Sequence, residues 1–354
     1  MNETFKLTNI QRSVLELPRE LPGFLVVFFS ALLFFLCPRR LASLANIICG
    51  IGIFLIGFFS FNISAMLMWL FILSVGQHLF LPLNQSIGME FAKDGKTGKR
   101  LGQLNGINNI FMILGSFVIF IGFKFFNFNF KIAYSLAALC FIISGLFLFF
   151  MTPDSPMPVR EKFKIKKEYS LYYWLCILFG TRKQIFMTFA PWVLVTVFHQ
   201  KTQTIATLLT IGGIAGIFLK PLLGKAIDKF GEKVILAAEA FILIFVCLAY
   251  GFAKNIFTEH IALIITFVCY VIDQLLMSVS MARATYLRKI VKNKDEVHQT
   301  LTMGVSIDHI FSISIALISG FIWYKFGYQF VFLIGGVIAL INLFSALQIK
   351  TKYS

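Results

Sequence analysis

Acidic residues are scarce in this chain: Asp and Glu together number 16 against 32 Lys and Arg, and the charged types make up only 14% of its 354 residues. So low a charged fraction, beside 58% hydrophobic residues and a mean hydropathy of +0.83, excludes an ordinary soluble domain and points to a polytopic membrane protein. The net charge of +16 would suggest a nucleic-acid partner in a soluble chain. Here the bases fall between apolar runs, as membrane topology requires, so no nucleic acid is expected. The six cysteines (Cys37, Cys49, Cys140, Cys176, Cys247, Cys269) lie in or beside apolar runs, with no Cys-x-x-Cys pair and no His at ligand spacing. They read as small core residues, and neither a disulfide framework nor a metal is expected. Also absent are the phosphate loop Gly-x-x-x-x-Gly-Lys-Ser/Thr and the hydrolase signatures His-Glu-x-x-His and Gly-x-Ser-x-Gly. No soluble stretch is long enough for a separate active site, so the expectation is no enzyme, no catalytic residue and no cofactor. Met1 to Gln11 is polar, which argues against a cleavable signal peptide ahead of the first span.

What remains is a series of long apolar runs. They predict an all-α fold of about eleven transmembrane helices, near residues 21–37, 41–60, 63–83, 102–123, 130–151, 171–198, 203–223, 232–253, 258–281, 301–323 and 328–348. Alternate loops hold most of the bases: Arg39 and Arg40; Lys93 to Arg100; Arg160 to Lys167; Lys220 to Lys233; Arg283 to Lys294; Lys350 and Lys352. The other loops hold only Lys124, Lys131, Lys201, Lys254 and Lys325, so the first set and the C-terminus are expected in the cytoplasm and the N-terminus outside.

One stretch carries more than topology. Gly224-Lys225-Ala226-Ile227-Asp228-Lys229-Phe230-Gly231-Glu232-Lys233 follows a Gly-rich run (Gly212, Gly213, Gly216) ending near Pro221, and reads as a tight loop between two spans. Gly224 permits close approach of helices, Gly231 a reversal, and Asp228 a helix cap or a hydrogen bond across the loop, with Lys229 and Lys233 at the headgroups. This order resembles the loop signature of the major facilitator superfamily. The resemblance extends over the chain: Pro38 to Arg40 corresponds to Gly224 to Lys233, and Asn84 to Arg100 to Met281 to Thr300, at offsets of roughly 190 to 200 residues. It implies two bundles, residues 1–151 and 170–354, joined by a cytoplasmic linker at 152–169 that contains Pro153, Pro156 and Pro158. The first bundle would have five spans and lack the family's first helix, and the second would have six. Gly224, Asp228, Lys229, Gly231 and Lys233 would form a gating loop that latches neighbouring helices during alternating access. The first-half loop is reduced to Cys37-Pro38-Arg39-Arg40, and the fourth span has no Gly-Pro-Gly-Gly element, so the exchange mode does not follow.

Charges and polar residues inside spans mark function, because hydrocarbon penalises them. They are Gln77 and His78, Arg182 and Lys183, Glu239, Asp273 and Gln274, Asp308 and His309; Glu16, Arg19 and Glu20 lead into the first span and would face an external vestibule. Asp273 and Asp308 are expected at matching depths, about 10–12 Å above the cytoplasmic ends, with Arg182 about 16 Å into its helix. Arg182, Asp273, Asp308, His309, Gln77 and His78 are the candidate substrate-binding or coupling residues; an ion pair that merely holds the bundle together explains Arg182 equally well. The family resemblance implies a monomeric secondary transporter in the plasma membrane, surrounded by lipid and moving a small solute with a proton. The alternative is a transport-inactive receptor or assembly factor that kept the fold.

Overall fold

The structure, a computed structural model, describes residues 16–152, 165–293 and 296–350, without the side chains of residues 16–18 and 202. The linker prolines and the side chain of Glu16 therefore lie outside the described residues. All regular structure among the described residues is helical: α1 Glu16–Leu32, α2 Pro38–Phe59, α3 Ile63–Glu90, α4 Thr97–Phe125, α5 Phe130–Phe150, α6 Ser170–Thr196, α7 Thr202–Phe230, α8 Glu232–Ile256, α9 Glu259–Leu276, α10 Ser280–Ile290, α11 Glu296–Phe326 and α12 Tyr328–Leu347. A 3-10 turn at Met277–Val279 joins α9 to α10 without a loop, so the two form one continuous segment and eleven segments result. Nine of them, all but α1 and α6, are long and apolar enough to cross a membrane by length and composition. Within lipid every backbone N–H and C=O needs an internal partner, which a helix supplies. The chain is an all-α polytopic membrane protein.

Boundaries depart from the sequence reading where polar turns stay helical. α3 continues to Glu90 and α7 to Phe230, so most of the expected loop from Gly224 is the last part of α7, and only Gly231, at φ +82°, breaks it from α8. The expected basic loop at 281–300 is helical through Ile290. α1 ends at Leu32, before its expected limit, while α2 starts at Pro38 behind an extended Cys37; proline is favoured at the first helical position because it has no N–H to leave unpaired. Arg39 and Arg40 are thus the first turn of α2. Arg39 pairs with Glu90 at 3.2 Å and donates to the Thr152 carbonyl, and Arg40 donates to the Phe149 carbonyl.

The chain divides into two compact units. One comprises Met1–Glu90, Gly115–Ile165 and Lys292–His309; the other comprises Phe91–Leu114, Lys166–Val291 and Ile310–Ser354. In the first, α2 packs on both α3 and α5. A Cβ on Gly76 would come 2.5 Å from the Ala45 carbonyl, so glycine lets these backbones approach closely, and Ser43 Oγ donates to the Gly145 carbonyl at 2.7 Å. Helices in lipid associate through such small-residue contacts, since lipid tails are as apolar as leucine. The second unit has the larger core, in which α8 packs on α12 and α9 and α12 also meets α6. At its centre the rings of Phe186, Tyr250 and Phe332 lie 4.6 to 5.5 Å apart, and the Tyr250 hydroxyl donates to the Ala190 carbonyl at 2.8 Å.

Candidate functional site

In the second unit α6, α8, α9 and α10 carry two buried ion pairs. Arg182 of α6, 3% exposed, donates to Oδ1 of Asp273 on α9, which is fully buried. The same guanidinium reaches Met277 Sδ at 3.5 Å and lies 5.9 and 6.0 Å from the ring centroids of Phe179 and Phe186. Nearby, Glu239 of α8 lies 3.7 Å from Arg283 of α10, whose guanidinium stacks 3.6 Å over Phe179. A narrow crevice is lined by Arg182, Glu239, Asn342, Phe179 and apolar side chains. Glu239 Oε2 and Asn342 Oδ1, on two of the lining residues, and Asp273 Oδ2 are buried acceptors that make no hydrogen bond among the described residues, although Glu239 Oε2 faces Arg283 at 3.7 Å. Buried acceptors of this kind are costly unless a ligand, water or proton completes them.

Arg182 and Asp273 are therefore brought together as the sequence suggested. Asp308 belongs to the first unit, where its carboxylate lies 3.9 Å from Nδ1 of its neighbour His309. Gln77 is exposed, whereas His78, one residue on, is buried. Nε2 of His78 meets Nε2 of His309 at 3.0 Å, and Oε2 of Glu20 lies 3.4 Å from that same His309 nitrogen. Glu20 thus turns inward against His309, while Arg19 stays partly exposed and holds its other oxygen at 2.8 Å. Arg283 was missed because hydropathy placed it in a loop. The small and apolar residues around it, Met281-Ala282-Arg283-Ala284, were the signal that this arginine is interior.

The sequence reading offers Asp228 either a cap on the following helix or a hydrogen bond across its loop, and the structure gives it another partner. Asp228 does not cap α8; its two carboxylate oxygens accept from the backbone N–H groups of Gly98 and Lys99, each at 2.7 Å, at the start of α4. These are among the orphan donors of that helix end, where negative charge also suits the macrodipole. Gly98 and Gly102 face Gly224 so closely that a Cβ on Gly102 would come 2.6 Å from the Lys220 carbonyl. Lys229 lies against Phe230, and Glu232 accepts from Lys289 at 3.0 Å.

A bundle of membrane helices with charges buried inside it defines a transport-type architecture, and comparison gives it a family. The profile described as Major Facilitator Superfamily matches residues 21–305. The chain belongs to the major facilitator superfamily. No curated protein matches it in sequence. Among solved structures it is similar to the transporter FucP in its outward conformation, with a TM-score of 0.73 at 14% identity, covering 97% of this chain and 91% of that one. A second FucP structure, of the E. coli fucose:proton symporter, is similar to the same degree at 12% identity over 96% and 90%. The proton:xylose symporter XylE gives 0.69 at 14% over 94% and 83%, and a bacterial homologue of the iron transporter ferroportin gives 0.73 at 10% over 96% and 90%. At such identities the likeness is one of fold.

Proposed function

We propose that this monomeric chain is a secondary active transporter of a small anionic solute, driven by a proton gradient in the plasma membrane and with its C-terminus in the cytoplasm. The observation that carries this reading is the buried Arg182–Asp273 pair, with Asp273 Oδ2 making no hydrogen bond among the described residues. A guanidinium keeps its charge at every physiological pH, so Arg182 offers a fixed fork of donors to a carboxylate or phosphate but cannot cycle a proton. A buried carboxylate can. Protonating Asp273 frees the arginine for substrate, and release of substrate and proton returns the arginine to the carboxylate, while Asp308 is a second candidate carrier of the coupling proton. Bundles 1–151 and 170–354, joined by the linker at 152–169, are the moving parts, with Asp228 as the latch. Family membership supports alternating access, and the likeness in fold to the proton symporters FucP and XylE supports the coupling ion.

The test is uptake into proteoliposomes of a panel of labelled carboxylates, phosphates and neutral sugars under an imposed pH gradient. Accumulation of an anionic solute that collapses with a protonophore is expected. Uptake of neutral sugars alone would remove the role given to Arg182. No uptake of anything, with or without the gradient, would indicate a receptor or assembly factor instead.

A further inference from the structure

The contact between His78 and His309 is set by the outer faces of their rings. Nδ1 of His78 lies 2.8 Å from the Ser74 carbonyl and 3.0 Å from Ser74 Oγ, whose own hydrogen goes to the Arg19 carbonyl. Nδ1 of His309 lies 2.8 Å from the Val305 carbonyl. A carbonyl only accepts, so each Nδ1 carries the ring hydrogen and each neutral Nε2 presents a lone pair. The two Nε2 atoms approach to 3.0 Å, with ring centroids 4.6 Å apart and the rings at 87°, and Glu20 Oε2 adds a third acceptor. All three atoms lie within 4.8 Å of one another. Three converging acceptors are the donor set of a cation site.

We propose that Glu20, His78 and His309 form a binding site for a divalent transition-metal cation of the Zn²⁺ or Co²⁺ type. Such an ion takes imidazole nitrogen at about 2.0–2.1 Å and carboxylate oxygen at about 2.0–2.2 Å, which sets tetrahedral ligand atoms about 3.3 Å apart. The observed 3.0 and 3.4 Å separations need only small adjustments to match. A single proton on His309 would bridge the two nitrogens but meet the Glu20 oxygen only at 3.4 Å, longer than a charge-assisted hydrogen bond. The outer contacts also fit: metal-bound histidines hold their second N–H on a carbonyl, which fixes ring orientation, as Ser74 and Val305 do here. Arg19 does the same for Glu20 by holding Oε1. Two imidazoles with one carboxylate favour Zn²⁺, Co²⁺ or Fe²⁺ over Mg²⁺ and Ca²⁺, and three protein ligands leave a fourth position for water or another ligand. Gly23 belongs to the site because any Cβ there would run into the His309 ring. The sequence reading expected no metal, since these ligands lie on three helices far apart in the chain.

The test uses the purified full chain in detergent, titrated with Co²⁺ alone and then with Zn²⁺. Visible d–d absorption of a low-symmetry Co²⁺ site is expected, saturating at one ion per chain and displaced by Zn²⁺. His78→Ala, His309→Ala and Glu20→Gln should each weaken binding roughly ten-fold or more. His298→Ala, at a buried histidine outside the cluster, should leave it unchanged. Zn²⁺ should raise the Tm of the native chain and not that of Glu20→Gln, a variant that keeps the side-chain volume. Absence of a saturable Co²⁺ spectrum in the native chain overturns the proposal and leaves a proton-bridged imidazole pair. So does a spectrum that survives both histidine substitutions. Neither outcome depends on solute uptake, so this site and the Arg182–Asp273 reading fail separately.

Discussion

Arg182 is surrounded by Asp273, Met277 and the rings of Phe179 and Phe186, so each substitution there has both a structural and a functional effect. Asp273→Asn leaves a buried guanidinium without its counter-charge. Breaking a buried pair from one side costs about 3–5 kcal/mol, which a lowered Tm would report. If the acid carries the coupling proton, the surviving protein should still exchange solute downhill but should no longer concentrate it against a pH gradient. Concentrative uptake by both Asp273→Asn and Asp308→Asn would make the acids structural. Arg182→Lys keeps the charge and removes the planar fork, so solute KM should rise steeply while Tm falls less than in Asp273→Asn. Glu239→Gln tests whether the second pair works independently: an unchanged pH dependence of uptake would confine coupling to Asp273 and Asp308.

At the scale of elements, the decisive contact is the cap that α7 places on α4. Loss of a capping side chain costs about 0.5–2 kcal/mol. Asp228→Asn retains one good acceptor but loses the charge that favours the helix N-terminus, so transport rate should fall while equilibrium solute binding stays nearly constant. A matching loss of binding would contradict the latch role. Part of this was legible in the sequence: Gly231 marks the reversal and Gly224 the close approach, because both rest on local backbone geometry. The partner of Asp228 was not, since Gly98 and Lys99 lie far along the chain and nothing in a hydrophobicity pattern encodes which helix end an acid will meet. Arg283 was misplaced for a related reason. A membrane span is counted in apolar residues, whereas a helix continues as long as its backbone bonds are satisfied, and α9 passes through a 3-10 turn into α10.

For the whole molecule, hydrocarbon imposes long apolar runs on any spanning helix, which is why nine of the eleven segments could be placed from sequence by apolar length while their pairings could not. The basic residues make a further prediction about orientation: a reporter fused after Ser354 should stay protected from protease added to intact cells, and cleavage there would reverse the assignment. The glycine seam between α4 and α7 has one more consequence. Where Gly98 and Gly102 meet Gly224, backbone rests on backbone, so apart from Asp228 the contact has few side-chain rotamers to freeze on closing or release on opening. In an alternating-access cycle such a seam would serve as a dry bearing, parting and re-seating with little repacking. Alanine at Gly102 would put grit into that bearing, slowing the cycle at every solute concentration while the solute site stays as it was.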